Sequence, residues 1–161
     1  MISMFMAALI LIVSTALFLF YLQVTCQRIL RRKFDKEYFQ SIVTANSLEF
    51  PAVCKALEEF DAPVEYARYR TTLKCDFLAL AYLLKNAVKV DQRYSREERL
   101  LMIYFHVISA SLAIRHLLRL REKAAILKLT TILQYFANVV GERVNLIRFG
   151  NETAADYLLS I

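Results

Sequence analysis

Only two glycines, two prolines and no tryptophan occur in the 161 residues, and no charged side chain precedes Arg28. Each shortage excludes something. Gly141 and Gly150 stand alone, which rules out a P-loop, a dinucleotide fingerprint and a G-x-S-x-G nucleophile elbow. The Trp, Gly and Pro punctuation of tetratricopeptide repeats is missing, and no repeat recurs at a fixed period. Period-two alternation bounded by hairpin turns is not sustained anywhere, so a sheet is not expected. The three cysteines, Cys26, Cys54 and Cys75, form no C-x-x-C pair, which argues against a disulfide framework and fits a reducing compartment.

What is present first is a membrane anchor. From Met4 to Leu22 the chain is almost entirely Leu, Ile, Val, Phe, Met and Ala, and roughly 20 apolar residues cross a bilayer core as a helix. Arg28, Arg31, Arg32, Lys33 and Lys36 follow at once as a basic stop. A cleavable signal peptide needs positive charge before the apolar run and a small-residue cleavage site after it, and neither is found. Basic residues stay on the cytoplasmic side. The expected topology is therefore single-pass in an inner (cytoplasmic) membrane, with the N-terminus outside and the C-terminal domain cytoplasmic. Cys26, at the membrane edge, reads as an interfacial thiol, with S-acylation as the alternative. Cys54 and Cys75 read as small buried hydrophobes.

The formal charge of +6 is mostly an orientation signal. Arg28, Arg31, Arg32 and Lys33 of the stop account for four of the 21 basic residues, which leaves 17 over 34–161, Lys36 among them, against 15 acidic ones. A nucleic-acid binder would concentrate its charge in the folded domain, so no nucleic-acid partner is expected. The division read from the chain is a transmembrane anchor over 1–27, a basic juxtamembrane segment and helix extension over 28–46, and one helical domain over 47–161.

The remaining punctuation marks helices. The anchor helix is expected to continue through Phe34, Tyr38, Phe39, Ile42 and Val43 and to break near Asn46 and Ser47. A short helix starts near Pro51, which suits a first turn, and Asp61 and Pro63 open the next. Tyr66, Tyr69, Leu73, Phe77, Leu80, Leu84 and Val88 step by three or four, as one apolar helical face does. Ser95 and Glu98 form an S-x-x-E capping box. A last long helix carries Ile126, Leu129, Leu133, Phe136, Val140, Val144 and Ile147. Gly150 and Asn151 predict a turn before a short C-terminal helix. The fold class is all-α: one transmembrane helix followed by a cytoplasmic bundle of about four to five helices.

Leu100 to Ile114 carries no formal charge with His106 neutral. Fifteen residues rise only about 22 Å, short of a hydrocarbon core of roughly 30 Å. The segment reads as the central helix of the bundle, apolar nearly all round, with a shallow or partner-buried helix as the alternative. His106 reads as a core histidine with a hydrogen-bonded ring, and is the one weak candidate for a cofactor ligand. His116 reads as outward-facing, too far along the helix to share a metal ion with it. Neither H-E-x-x-H nor the paired E-x-x-H of di-iron bundles is found, so no metal is expected.

Arg115, Arg119, Arg121 and Lys123 form a second basic segment with Glu122 as an internal partner. Its plain reading is a solvated, salt-bridged face. Its sharper one is a lipid or phosphate contact through Arg115 and Arg119, one turn apart.

These readings converge on a non-catalytic accessory or scaffolding subunit of a larger membrane complex, with membrane lipids and other subunits as partners and no cofactor. Nine tyrosines and eleven phenylalanines tilt towards protein contacts, since Tyr suits surfaces that are both apolar and wet. The alternative is a membrane-tethered bundle that binds a small ligand or cofactor.

Overall fold

The structure, a computed structural model, describes residues 2–34, 38–59, 65–86, 94–118, 120 and 122–159. Side chains at 2–3, 59 and 146–159 lie outside the described set. Six helices and no strand are found among the described residues: α1 (Ile2–Leu30), α2 (Phe39–Asn46), α3 (Phe50–Glu59), α4 (Tyr66–Asn86), α5 (Arg96–Leu117) and α6 (Lys123–Leu159). The all-α expectation holds at that level. Asp61 and Pro63, expected to open α4, lie outside the described residues.

Two boundaries differ from expectation. The anchor helix does not run on to Val43. Backbone bonds from Arg31 N–H to Arg28 O (3.3 Å) and Arg32 N–H to Ile29 O (3.0 Å) tighten its last turn, and α2 is a separate helix. The expected break at Asn46 and Ser47 is present, with Ser47 left-handed at φ 50°, the usual way to close a helix. At the other end α6 runs through Gly150 and Asn151, where a turn was expected. Glycine weakens a helix by about 1 kcal/mol but ends one only when it takes a positive φ, and no described glycine does.

The capping box forms as read. Ser95 Oγ accepts from Glu98 N–H at 3.2 Å, and Glu98 Oε2 accepts from Ser95 N–H at 3.1 Å.

The central helix is α6, not α5. Ala125, Ile126, Leu129, Ile132, Leu133, Tyr135, Phe136, Ala137, Val139 and Val140 are all buried, and these positions cover about 200° of the helix circumference. Helices α2, α3, α4 and α5 all pack on it. Small residues let neighbours approach it closely. Gly141 is the clearest case, because a Cβ there would stand 2.2 Å from Tyr38 Cβ. α5 has the longer uncharged run, yet one side of it stays uncovered. It lies antiparallel to α4, with Tyr66 stacked on His116 (3.8 Å) and Phe77 on Phe105 (4.1 Å).

The short helix α2 has no side-chain cap of its own at its start, and both α2 and α3 are capped from other helices. Asn138 Oδ1 on α6 accepts the N–H groups of Tyr38 and Phe39, each at 2.9 Å. Asp76 Oδ2 on α4 accepts those of Glu49 (3.0 Å) and Phe50 (2.7 Å). Both residues are buried. They thus supply acceptors for amides that a helix start leaves unpaired.

Burial lifts the Asp76 carboxyl above the ordinary carboxylate range, with the two amide donors opposing the shift. A raised native pKa means that the folded state holds the proton more tightly than the unfolded one. The contribution to stability is complete below the unfolded value and is lost as pH rises through the native one. Unfolding of the full chain in mild detergent should therefore show the wild type gaining on Asp76→Asn as pH falls from neutral towards 4. Asp76→Ala, which orphans two amides, should be destabilised by about 1–3 kcal/mol at every pH. An advantage over Asp76→Asn that grows with rising pH would contradict the assigned shift.

Candidate membrane-facing site

Every side chain from Met4 to Tyr21 on α1 is exposed, and nearly all are apolar. The stretch rises about 27 Å, close to a hydrocarbon core of roughly 30 Å. Thr15, one of its few polar residues, donates its hydroxyl to Leu11 O at 2.8 Å, so that group is satisfied within the helix itself. Contact with the rest of the protein begins at Leu22 and Cys26, both buried. The Cys26 thiol points at Leu100 O of α5 (3.8 Å). It is a packed core thiol rather than an interfacial one.

Among the described residues three helices are long and apolar enough to cross a membrane: α1, α5 and the part of α6 from Lys123 to Asn145. Their burial separates them. The most apolar window is 6% buried in α1, 22% in α5 and 72% in α6. α6 is apolar because it is a core. α5 is partly covered, and its neighbour α4 carries the exposed charges Arg68, Arg70, Lys74 and Lys85.

The basic stop lies at the end of α1. Arg28, Arg31, Arg32 and Lys33 are exposed, while Lys36 lies outside the described residues. Arg32 pairs with Glu142 of α6 at 3.5 Å and stands over the Phe34 ring at 5.4 Å. Phe34 in turn meets Tyr135 edge-on at 5.4 Å.

Two open clefts flank this cluster and share Leu30 and Thr131. One, of about 360 Å³, is lined by Arg32, Lys33, Phe34, Gln134, Tyr135 and Asn138 as well. The other, of about 300 Å³, adds Gln27, Arg31, Tyr104 and Lys128. A third cleft, by Phe39, Cys54 and Glu58 (about 370 Å³), adjoins the first through Thr131 and Gln134, and a fourth lies by Glu49, Arg68 and Tyr69 (about 370 Å³). Lys128 and Gln134 were missed from the sequence. Their signal was a polar side of α6 opposite the expected stripe, which looks like any solvated helix face until the end of α1 is laid against it.

The other sequence candidates are dispersed. His106 is exposed, edge-on to Phe77 (5.3 Å), and lines none of the four clefts. Leu101, Phe105 and Leu112 take the inward side of α5, which turns residue 106 outward. Arg115 Nε donates to Ser111 Oγ at 3.4 Å, and Arg119 lies outside the described residues. His116 bonds Glu122 at 2.9 Å, so Glu122 is indeed an internal partner of that segment. Cys75 is exposed and Cys54 half-buried, so neither is the buried hydrophobe expected. Among the described residues no three His, Cys, Asp or Glu side chains group as metal ligands. Comparison with protein-family models, curated proteins and solved structures finds no match to this chain.

Proposed function

We propose that the chain is a non-catalytic accessory or scaffolding subunit of a larger membrane protein complex. In this reading α1 is the one transmembrane helix, the N-terminus is outside, and α2 to α6 form a bundle on the cytoplasmic face of an inner membrane. The observation that carries it is the contrast along α1, bare and apolar to Tyr21, packed and then basic beyond it. An α5 crossing is disfavoured because it would bring the α4 charges into hydrocarbon, at about 2.5–3.5 kcal/mol each near the centre.

The uncovered side of α5 supports a partner surface. Ile103, His106, Ala110, Ile114 and Leu117 are exposed and fall within about 80° of the helix circumference. Leu117 is 82% exposed. An apolar stripe of this kind on a tethered protein fits a neighbouring subunit.

Native electrophoresis of mildly solubilised membranes tests the reading. The wild type should migrate in an assembly much larger than itself. The variant Ile114→Glu/Leu117→Glu changes only exposed side chains, so it should keep its helicity and fall out of that assembly. A wild type that migrates alone, or a double variant that stays in the assembly, would defeat the subunit reading.

A further inference from the structure

The paired clefts between the end of α1 and α6 have the makings of a ligand site. Four cations surround them: Arg31, Arg32, Lys33 and Lys128. Two carboxylates face this group among the described residues, and both are engaged: Glu142 pairs with Arg32, and Glu97 accepts from the Tyr135 hydroxyl at 3.4 Å. Leu30 and Phe34 supply an apolar wall, and Thr131, Gln134 and Tyr135 supply polar groups beside it. Each cleft has a volume in the range of small-molecule sites, about 300–1,000 Å³.

Their position selects the ligand. The clefts open beside the end of α1, about two to three turns beyond the exposed apolar stretch that ends at Tyr21. Resting on the reading of α1 as the membrane span, this lies at the water-facing edge of the lipid headgroups. A phosphodiester there would meet the cations while its acyl chains lie along the bare side of α1. Arginine forks suit phosphate oxygens, and lysine adds a point charge. Basic pockets at a cytoplasmic membrane surface bind anionic headgroups.

The geometry points to a specific site for an anionic phospholipid headgroup, completed by Lys128 of α6. Lys128 lies far in sequence from the basic stop. It therefore separates a built site from general attraction of the stop to the membrane.

The test uses the full chain in nanodiscs of phosphatidylcholine with a minor fraction of phosphatidylglycerol. The lipid retained after detergent transfer is counted by native mass spectrometry. The wild type should retain phosphatidylglycerol in preference to phosphatidylcholine. Lys128→Gln should lower that retention about five-fold, the factor expected for one basic group at an anionic surface. Lys128→Arg should restore it, and Lys85→Gln, on exposed α4, should leave it unchanged.

Retention that is undiminished in Lys128→Gln, or equal for the two lipids, would overturn the site. Displacement of the lipid by millimolar glycerol phosphate would assign the clefts to soluble phosphates instead and overturn the lipid. Alkaline extraction of membranes reads the anchor separately. Protein released by carbonate would remove the premise, whereas a carbonate-resistant Lys128→Gln that has lost its lipid concerns the cleft alone.

Discussion

Replacing Arg143 with alanine should destabilise the fold by about 3–5 kcal/mol, the range for stranding one member of a buried ion pair. Arg143 of α6 forms an ion pair with Glu98, whose side chain is only 4% exposed. Its other terminal nitrogen donates to Leu84 O, in the last turn of α4, at 3.3 Å. Glu98 is also the second half of the capping box that starts α5. One guanidinium thus joins the start of α5, the end of α4 and the middle of α6, and its loss leaves a buried carboxylate and an unpaired helix-end carbonyl together.

The companion experiment separates pairing from packing. The double variant Glu98→Gln/Arg143→Met removes both charges and keeps most of the volume. It should recover a large part of the stability lost by Arg143→Ala, because a buried pair replaced as a unit is often near neutral. Denaturant titration of the full chain in mild detergent, followed by helicity, measures all three. A loss below about 1 kcal/mol for Arg143→Ala would mean that the pair is not buried as described.

Helices with strong local signals were legible from the chain. The steps from Tyr66 to Leu84 gave α4, Ser95 with Glu98 gave the start of α5, and the uncharged stretch ahead of Arg28 gave α1. What stayed hidden depended on contacts between helices. Asp76 occupies a position that the Leu73, Phe77 and Leu80 face should have filled with an apolar residue, and that misfit was its one signal. Its role as a cap for α3 needs the position of Glu49 and Phe50, which periodicity does not supply.

Asn138 and Gly141 are hidden for the same reason, as both serve the approach of α2 to α6. The central position went to α6 because hydropathy alone ranks α5 with it, whereas residues such as Ala137 and Gly141 decide where neighbours can come close. The candidate site was half legible. The basic end of α1 announced itself, but Lys128, Thr131 and Gln134 joined it only through packing.

Labelling with a membrane-impermeant maleimide in intact cells and after permeabilisation tests most directly whether α1 alone spans the membrane and the rest is cytoplasmic. Cys75 is already exposed on α4, and Cys75→Ser provides the background for single cysteines at Ser3 on α1 and at Leu120, exposed just beyond α5. The account predicts that a cysteine at residue 3 reacts in intact cells, whereas Cys75 and a cysteine at residue 120 react only after permeabilisation. Reaction of Cys75 from outside would invert the topology. A cysteine at residue 120 that reacts in intact cells, while Cys75 reacts only after permeabilisation, would make α5 a second span and contradict the single-span account.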